Sequence, residues 1–541
     1  MSGAAIPSLA TDGERAGHRP DPASLTSLSA SEIARCVASG DISAAEVVDA
    51  HIQRIEEIDG QLNAVVIRRF DEARAAAAAA DDARRRGDRL GPLHGVPITI
   101  KEQLQVAGTQ TTLGLSHRVG RIEPTDGPLV DSLRRAGAIV LGKTNVGQTL
   151  MYHESDNPVY GRTNNPWDPE RTPGGSSGGE AAIVAARGSS LGLGGDLGGS
   201  LRVPAHFCGI HALKPTSRRL TNDDNPPGIF LGGQEAILPQ QGPIARSVAD
   251  LELALRVLTR PIPRTRDASA PLIWRDPADV DVSRLRIGMY THDGFFAAAP
   301  AIRRAVDSAA DALSDSGAAV MPFTPRDVEE AVELFLAVMS ADGGAGIRHL
   351  LQKDRPVAQM KGFVQAADLL PAIRQLAAAV LERRGSRRLA FVLRSVRGVS
   401  AREYMALIAR LNGYRERWLA AMDRDGLDAL ICPPYATPAL RHGAGESLSV
   451  FSAGSYAVLF NVLGMPAGVV AATTVGADEE TDRPGSSDPI DRAALETERG
   501  SAGLPVGVQV AARHWREDVV LAVMAALEHS FSQRPDHPSL P

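Results

Sequence analysis

From residue 26 the chain runs through two hydrophobic rhythms. In SLTSLSASEIARCVASGDISAAEVVDAHIQRIEEIDGQLNAVV apolar residues recur three and four apart, which predicts two helices. Ser29 or Ser31 would cap the first and Ser43 the second. FDEARAAAAAADDARRRGDR predicts a third helix, alanine-rich and closed by a basic turn. Unbroken apolar runs follow. GVPITIKE and AGAIVLGKTN predict buried strands, with the helix DGPLVDSLRRAG between them. The alternation continues through HALKPT and SVADLELALRVL. RLRIGMY predicts a strand and AIRRAVDSAADALSDSG a helix. Late strands are expected at DALICPP, AGVVAATTV and GLPVGVQVAA. This is an α/β pattern, a mixed sheet covered by helices.

A second, largely helical lobe is expected over about 265–445. The late strands should rejoin the first sheet, making 26–541 a single domain. Residues 1–25 read as a disordered tail rich in Gly, Pro, Ser and charge. Residues 476–500 carry eight acidic and three basic side chains and little that could pack, so they read as a solvated loop.

Composition narrows the function classes. Of 541 residues 43% are hydrophobic and 23% charged, as in ordinary globular proteins. The net charge of −6 offers no global basic field, which argues against a nucleic-acid partner. Cys36, Cys208 and Cys432 are too few and too far apart for a disulfide framework, and fit a reducing cytoplasm. No run approaches the roughly 20 apolar residues of a membrane span. The N-terminal stretch lacks the charged and apolar regions of a secretory signal.

Three motifs bear on chemistry. GAIVLGKT (137–144) matches a phosphate-binding loop letter for letter. Its intervening AIVL is itself strand-like, which favours a plain buried strand. His206, Cys208 and His211 form H-x-C-x-x-H, a possible metal corner. No fourth ligand stands at sensible spacing, and a structural role is favoured. The third is RTPGGSSGGEAAIVAARGSSLGLGGDLGGSLR (171–202), with ten glycines and five serines around an apolar centre. Flexible linkers have no such centre. Bare backbone lets several N–H groups converge on one point, which an oxyanion requires. Ser200 follows two glycines, and Ser176 lies between glycine pairs. Lys101 ends the apolar strand GVPITIK, where burial disfavours its charge, and a neutral lysine can act as general base toward a serine. No histidine stands at a comparable place. The bland alternative is two glycine turns, with Lys101 paired to an acid such as Glu102.

At these residues the chain resembles the amidase signature family of serine hydrolases. The resemblance covers nearly everything from residue 26 onward and centres on PGGSSGGEAAIVAARGSSLGLGGDLGGSLRVPAHFCGIHALKPT. Ser200 lies 24 residues beyond Ser176, and Ser176 lies 75 beyond Lys101, as the family pattern requires. The resemblance implies the amidase-signature fold, a large mixed sheet sandwiched by helices. It implies a Ser–cis-Ser–Lys triad at Ser200, Ser176 and Lys101, with a cis peptide at Gly175–Ser176. It implies an oxyanion hole from the N–H groups of Leu197, Gly198, Gly199 and Ser200. Ser177 would support the relay or simply shape the turn. Arg202 would orient carbonyls or form a surface salt bridge. Within the family, NNPWDPERTPGGSSGGE, YAVLFNVLGMPAGVVAATTV and GLPVGVQVAARHWRED are similar to the fatty acid amide hydrolase branch. Leu150 and Met151 match its acyl-pocket position. Animal members of that branch carry an N-terminal membrane span, which this chain lacks.

The expected activity is therefore hydrolysis of an amide to an acid and an amine or ammonia, on hydrophobic fatty or aryl acyl amides, with esters or carbamates also open. No cofactor or metal is expected, and the enzyme would be a monomer or homodimer. The rivals are a glutaminase subunit of a tRNA-dependent amidotransferase, a non-catalytic family member acting as a binding module, and the nucleotide binder suggested by GAIVLGKT. Residues 370–397 hold seven arginines and one glutamate in an amphipathic-looking stretch. They could rest on anionic lipid, or form a solvated hairpin hinged at Gly385 and Ser386.

Overall fold

Serine caps start the first helices. In Ala30–Ser39 and Ala44–Leu62, Ser29 and Ser43 each take the N–H of a glutamate three residues on, and that glutamate reaches back to the serine N–H. The computed structural model describes residues 21–226, 233–260, 273–446 and 450–541. Thirteen strands follow in chain order: β1 (Val65–Arg68), β2 (Pro97–Lys101), β3 (Ile139–Thr144), β4 (Asp156–Asn157), β5 (Gly161–Arg162), β6 (Leu191–Asp196), β7 (His211–Lys214), β8 (Gln240–Ala245), β9 (Arg286–Met289), β10 (Ala319–Pro322), β11 (Ala429–Cys432), β12 (Ala467–Thr474) and β13 (Pro505–Ala512).

Eleven of them form one mixed sheet in the order β1-β3-β2-β6-β8-β7-β12-β13-β11-β9-β10, while β4 and β5 pair apart. Strands β3, β2 and β6 run parallel to one another. Their carboxyl ends therefore open on the same edge, where ligands bind in open α/β sheets. Every residue of β2, β3 and β6 is buried, as expected for strands covered on both faces. The helices Gly178–Ala185 and Arg202–Cys208 are buried along their whole lengths. Chain that reads as loop in the glycine-rich segment is thus the centre of the molecule.

The structure redraws several boundaries. Residues 265–445 are not one helical lobe, because β9, β10 and β11 within them belong to the main sheet. The helical insert is narrower, running from Val328–Met339 to Ala401–Asp425 between β10 and β11. Val65 and Val66, read as the end of a helix, start β1, because Asn63 in the left-handed region ends the helix before them. Of the tail expected over 1–25, residues 1–20 lie outside the described residues, and Pro22–Ser27 forms a short 3-10 helix with Leu25 buried.

The acidic segment 476–500 is not a solvated loop. Pro489–Glu498 is a helix that buries Ile490 and Ala494. Its negative charge is answered by arginines, two from elsewhere in the sequence and one, Arg483, from within the segment itself. Arg304 meets Glu479 at 2.6 Å, Arg388 meets Asp491 at 2.9 Å, and Arg483 meets Glu498 at 2.6 Å. Arg171, fully buried, then ties the segment's end to the signature region by donating to the carbonyls of Thr497, Arg499 and Gly500.

Candidate active site

Lys101 is the last residue of β2 and is fully buried. Its Nζ donates to Ser176 Oγ at 2.8 Å and to the Gly195 carbonyl at 3.2 Å. Burial pushes the amine down to about 7, against the opposing pull of Asp196 and Glu180. Glu102, the alternative partner for Lys101, instead accepts the N–H groups of Thr112 and Leu113. Glu180 is itself lifted by burial to about 8, with Thr99 and Thr144 donating to its oxygens at 2.6 and 2.7 Å.

Ser176 follows a cis peptide from Gly175. A side chain at Gly175 is excluded, because a Cβ there would lie 2.4 Å from the Glu154 carbonyl oxygen. Ser177 donates through its hydroxyl to the Gly195 carbonyl at 3.2 Å, the acceptor that Lys101 also uses, and through its N–H to the Ser200 carbonyl at 3.2 Å. The two serine-bearing segments are thus stitched together directly.

Ser200 sits in the turn between β6 and the helix Arg202–Cys208. The turn is organised by Asp196, which accepts from the N–H groups of Gly199 at 2.8 Å and Leu201 at 3.2 Å. Arg202 is no surface residue. It is fully buried and grips Asp196 through two nitrogens, each at 3.0 Å, while donating to Gln509, Asn461 and the Ala457 carbonyl. Burial alone would raise the Asp196 carboxyl, but Arg202 outweighs that and holds it well below the usual carboxylate range. Gly199 lies at φ +108°, where a Cβ would meet that of Ala457 at 2.7 Å. Of the four N–H groups expected to form the donor cradle, that of Gly199 is therefore engaged by Asp196. Those of Leu197, Gly198 and Ser200 take no hydrogen bond among the described residues.

Ser176 and Ser200 line one cavity of about 430 Å3. Leu150, Met151 and Leu197 form part of its wall, beside Gln103 and Thr149. The far side comes from the insert, where Met339, Ile347 and Leu350 add apolar surface and Asp342 and His349 add polar groups. Sequence reading misses these insert residues, whose local pattern is that of any amphipathic helix. It also misses Asp196, for which one signal exists: it is the lone acid between residues 181 and 202. A histidine does stand beside the Ser200 turn. His153 Nε2 lies 3.0 Å from the Gly198 carbonyl, bonded to main chain instead of a serine hydroxyl.

The two competing motifs resolve into structure. Lys143 of GAIVLGKT is buried in β3, donating to the Gln110 carbonyl and Thr111 Oγ1 at 2.8 and 2.9 Å. In H-x-C-x-x-H the side chains turn to separate partners. His206 bonds the Thr437 carbonyl and the Gly507 N–H, Cys208 reaches the Pro173 carbonyl, and His211 meets Glu528 and the Ala471 N–H.

A buried lysine, two serines on glycine-rich turns and a set of bare N–H groups form a constellation suited to acyl transfer. The amidase family profile matches residues 46–521, and the chain belongs to this family, whose members hydrolyse amide C–N bonds. Fatty-acid amide hydrolase 1 of Sus scrofa is 33% identical over 515 residues, which is 94% of this chain and 86% of that protein. Acetamidase of Aspergillus oryzae is 32% identical over 525 residues, covering 93% of this chain and 90% of its own. A solved structure of fatty acid amide hydrolase superposes with a TM-score of 0.81 at 26% identity, covering 94% of this chain and 86% of that one.

The buried pair under the Ser200 turn gives the first prediction. Asp196→Ala strands the Arg202 guanidinium in the interior, and should destabilise the fold by roughly 3–5 kcal/mol. A thermal midpoint unchanged from the parent in differential scanning calorimetry would contradict this.

Proposed function

We propose that this amidase works through an acyl-enzyme on Ser200, with Ser176 as proton shuttle and Lys101 as base, on amides with a hydrophobic acyl group. The observation that carries the reading is the Lys101 amine, fully buried and 2.8 Å from the Oγ of Ser176, which lines one cavity together with Ser200. In this cycle the lone pair of neutral Lys101 takes the Ser176 proton while Ser176 takes that of Ser200. Ser200 Oγ attacks the amide carbon, and the N–H groups of Leu197, Gly198 and Ser200 receive the oxyanion. The proton returns through Ser176 to the leaving nitrogen, the amine departs, and water releases the acid by the same relay. Arg202 and Asp196 hold the turn that carries Ser200.

The apolar wall of Leu150, Met151, Leu197, Met339, Ile347 and Leu350 supports the acyl preference. It gives a fatty or aryl chain apolar contact that free glutamine would leave unused, while Gln103, Asp342 and His349 supply the polar part of the same wall. The three cysteines are buried and unpaired, which suits a reducing compartment.

A peripheral lipid contact belongs to the same reading. None of the described helices is long and apolar enough to cross a membrane. The helices Pro371–Arg383 and Arg387–Ser395 form a hairpin, turned at Gly385, that exposes Leu370, Ile373, Leu376 and Val380 along one stripe. Its basic character is smaller than seven arginines suggest. Arg374 is buried, and Arg388, Arg394 and Arg397 pair with Asp491, Glu382 and Glu333. Arg383, Arg384 and Arg387 form no ion pair among the described residues. An apolar stripe ending in three unpaired arginines suits an anionic membrane surface.

Ser200→Ala should lower kcat by roughly 10⁶-fold while the protein stays folded, and a substrate acyl mass should be trapped on the Ser200 peptide of the parent. Residual hydrolysis at parental rate in that variant rules out Ser200 as nucleophile. Because Lys101 works unprotonated and titrates at about 7, kcat/KM should rise about tenfold per pH unit below that value and level off above it. Lys101→Ala should lose both the rate and this acid limb. An unchanged pH profile in the variant removes Lys101 from the chemistry. The parent should co-sediment with anionic vesicles at low salt, and Ile373→Glu with Leu376→Glu should abolish it. Absence of parental sedimentation refutes the lipid contact.

A further inference from the structure

Main-chain donors can meet a developing oxyanion only if the turn carrying them is held in one conformation before reaction. Leu197–Ser200 contains two adjacent glycines, and glycine explores more backbone conformations than any other residue. Two side chains remove that freedom at a single peptide unit. The Gly198 carbonyl accepts from His153 Nε2 at 3.0 Å, and the Gly199 N–H of the same unit donates to Asp196 Oδ1 at 2.8 Å. A peptide unit is planar. Fixing its oxygen from one side and its N–H from the other sets its orientation. The next unit, which carries the Ser200 N–H, is anchored in turn where the Gly199 carbonyl accepts from the Val203 N–H at 2.8 Å, and the Gly198 N–H before the clamped unit has fewer directions open to it.

The manner of His153 burial separates this task from simple filling of space. The ring is 2% exposed and meets Tyr435 edge-on, with centroids 5.5 Å apart. A carbonyl can only accept, so Nε2 carries the ring hydrogen. Nδ1, equally buried, has no hydrogen-bond partner among the described residues. An unsatisfied buried polar atom is destabilising, and a phenyl ring would occupy the same space without it. The one compensating bond that histidine makes here is to Gly198. Burial also pushes the ring down to about 4, so it stays uncharged beside the donors at neutral pH.

We propose that His153 is a positioning residue for the oxyanion cradle, clamping the Gly198–Gly199 peptide against Asp196 so that the flanking N–H groups face the reacting carbonyl. The inference rests on Ser200 being the nucleophile.

His153→Phe should reduce kcat by about 10–100-fold, the scale of a displaced catalytic group, with KM nearly unchanged. His153→Gln, which keeps an N–H donor near the Nε2 position, should recover most of the loss. His153→Asn keeps an amide but falls short of the carbonyl, and should lose as much as His153→Phe. It also serves as the informative variant should the phenyl ring prevent folding. The inhibition constant of a trifluoromethyl ketone, whose adduct with the serine carries an oxyanion, should rise in step with the loss in kcat. That of the matched secondary alcohol should not move. A His153→Phe or His153→Asn enzyme with parental kcat, or one whose ketone and alcohol constants change together, overturns the proposal. Ser200→Ala, assayed alongside, keeps the two ideas apart. If it retains activity the nucleophile is misassigned, whereas if it is inactive and the His153 variants are not, only the clamp is wrong.

Discussion

The active centre depends on keeping an amine uncharged while two carboxyl groups stand near it. Either acid, left as a free anion, would favour the ammonium form of Lys101 and leave it no free lone pair near neutral pH. Each is restrained differently. Asp196 stays ionised, but its charge is answered by a two-nitrogen bond to Arg202, which leaves only part of its pull on the lysine. Glu180 is buried deeply enough to favour its protonated form near neutral pH. The desolvation of Lys101 therefore prevails over the surrounding acids. The Asp196–Arg202 pair serves a second purpose, since the same carboxylate shapes the turn that carries Ser200. Lys101 and the Ser200 turn share one electrostatic element.

Geometry follows from the sheet. The carboxyl ends of three adjacent parallel strands deliver three loops to one edge. The loop after β2 brings Gln103 behind Lys101, the loop after β3 brings Thr149 to His153, and the loop after β6 brings the serine turn. Gln148 links this edge to the insert, donating to the Arg355 carbonyl and accepting from the Val357 N–H. The cavity is thus walled on one side by loops of the rigid sheet and on the other by helices standing on it.

Much of this was legible in the sequence, for identifiable reasons. Segments with a clean period, such as the capped helices and the strands ending in Lys101 and Thr144, declare themselves locally. The long glycine-rich motif located the serines and lysine through family resemblance and spacing. What stayed hidden depends on partners far along the chain. LGLGGD reads as loop because glycine has no side chain to show a period, yet it is the strand β6 between β2 and β8. YHESDN (152–157) looks like a surface stretch and is largely buried, because its polar groups are satisfied from afar. Gly443 and Gly445 bond Glu154, the Gly174 carbonyl takes Ser155, and Asn145 takes Asn157. The helix at 489–498 was concealed for the same reason, since its acids read as solvated until the arginines that meet them are placed. His153 belongs to this group too, its partner lying 45 residues away.

The helical insert enters after β10 and leaves before β11, at the margin of the sheet opposite the three loops that carry the reacting groups. It contributes Met339, Ile347 and Leu350 to the substrate-facing wall and supplies none of the reacting groups. A change confined to this one excursion would therefore reshape part of the cavity wall while leaving Lys101, Ser176 and Ser200 where the sheet holds them.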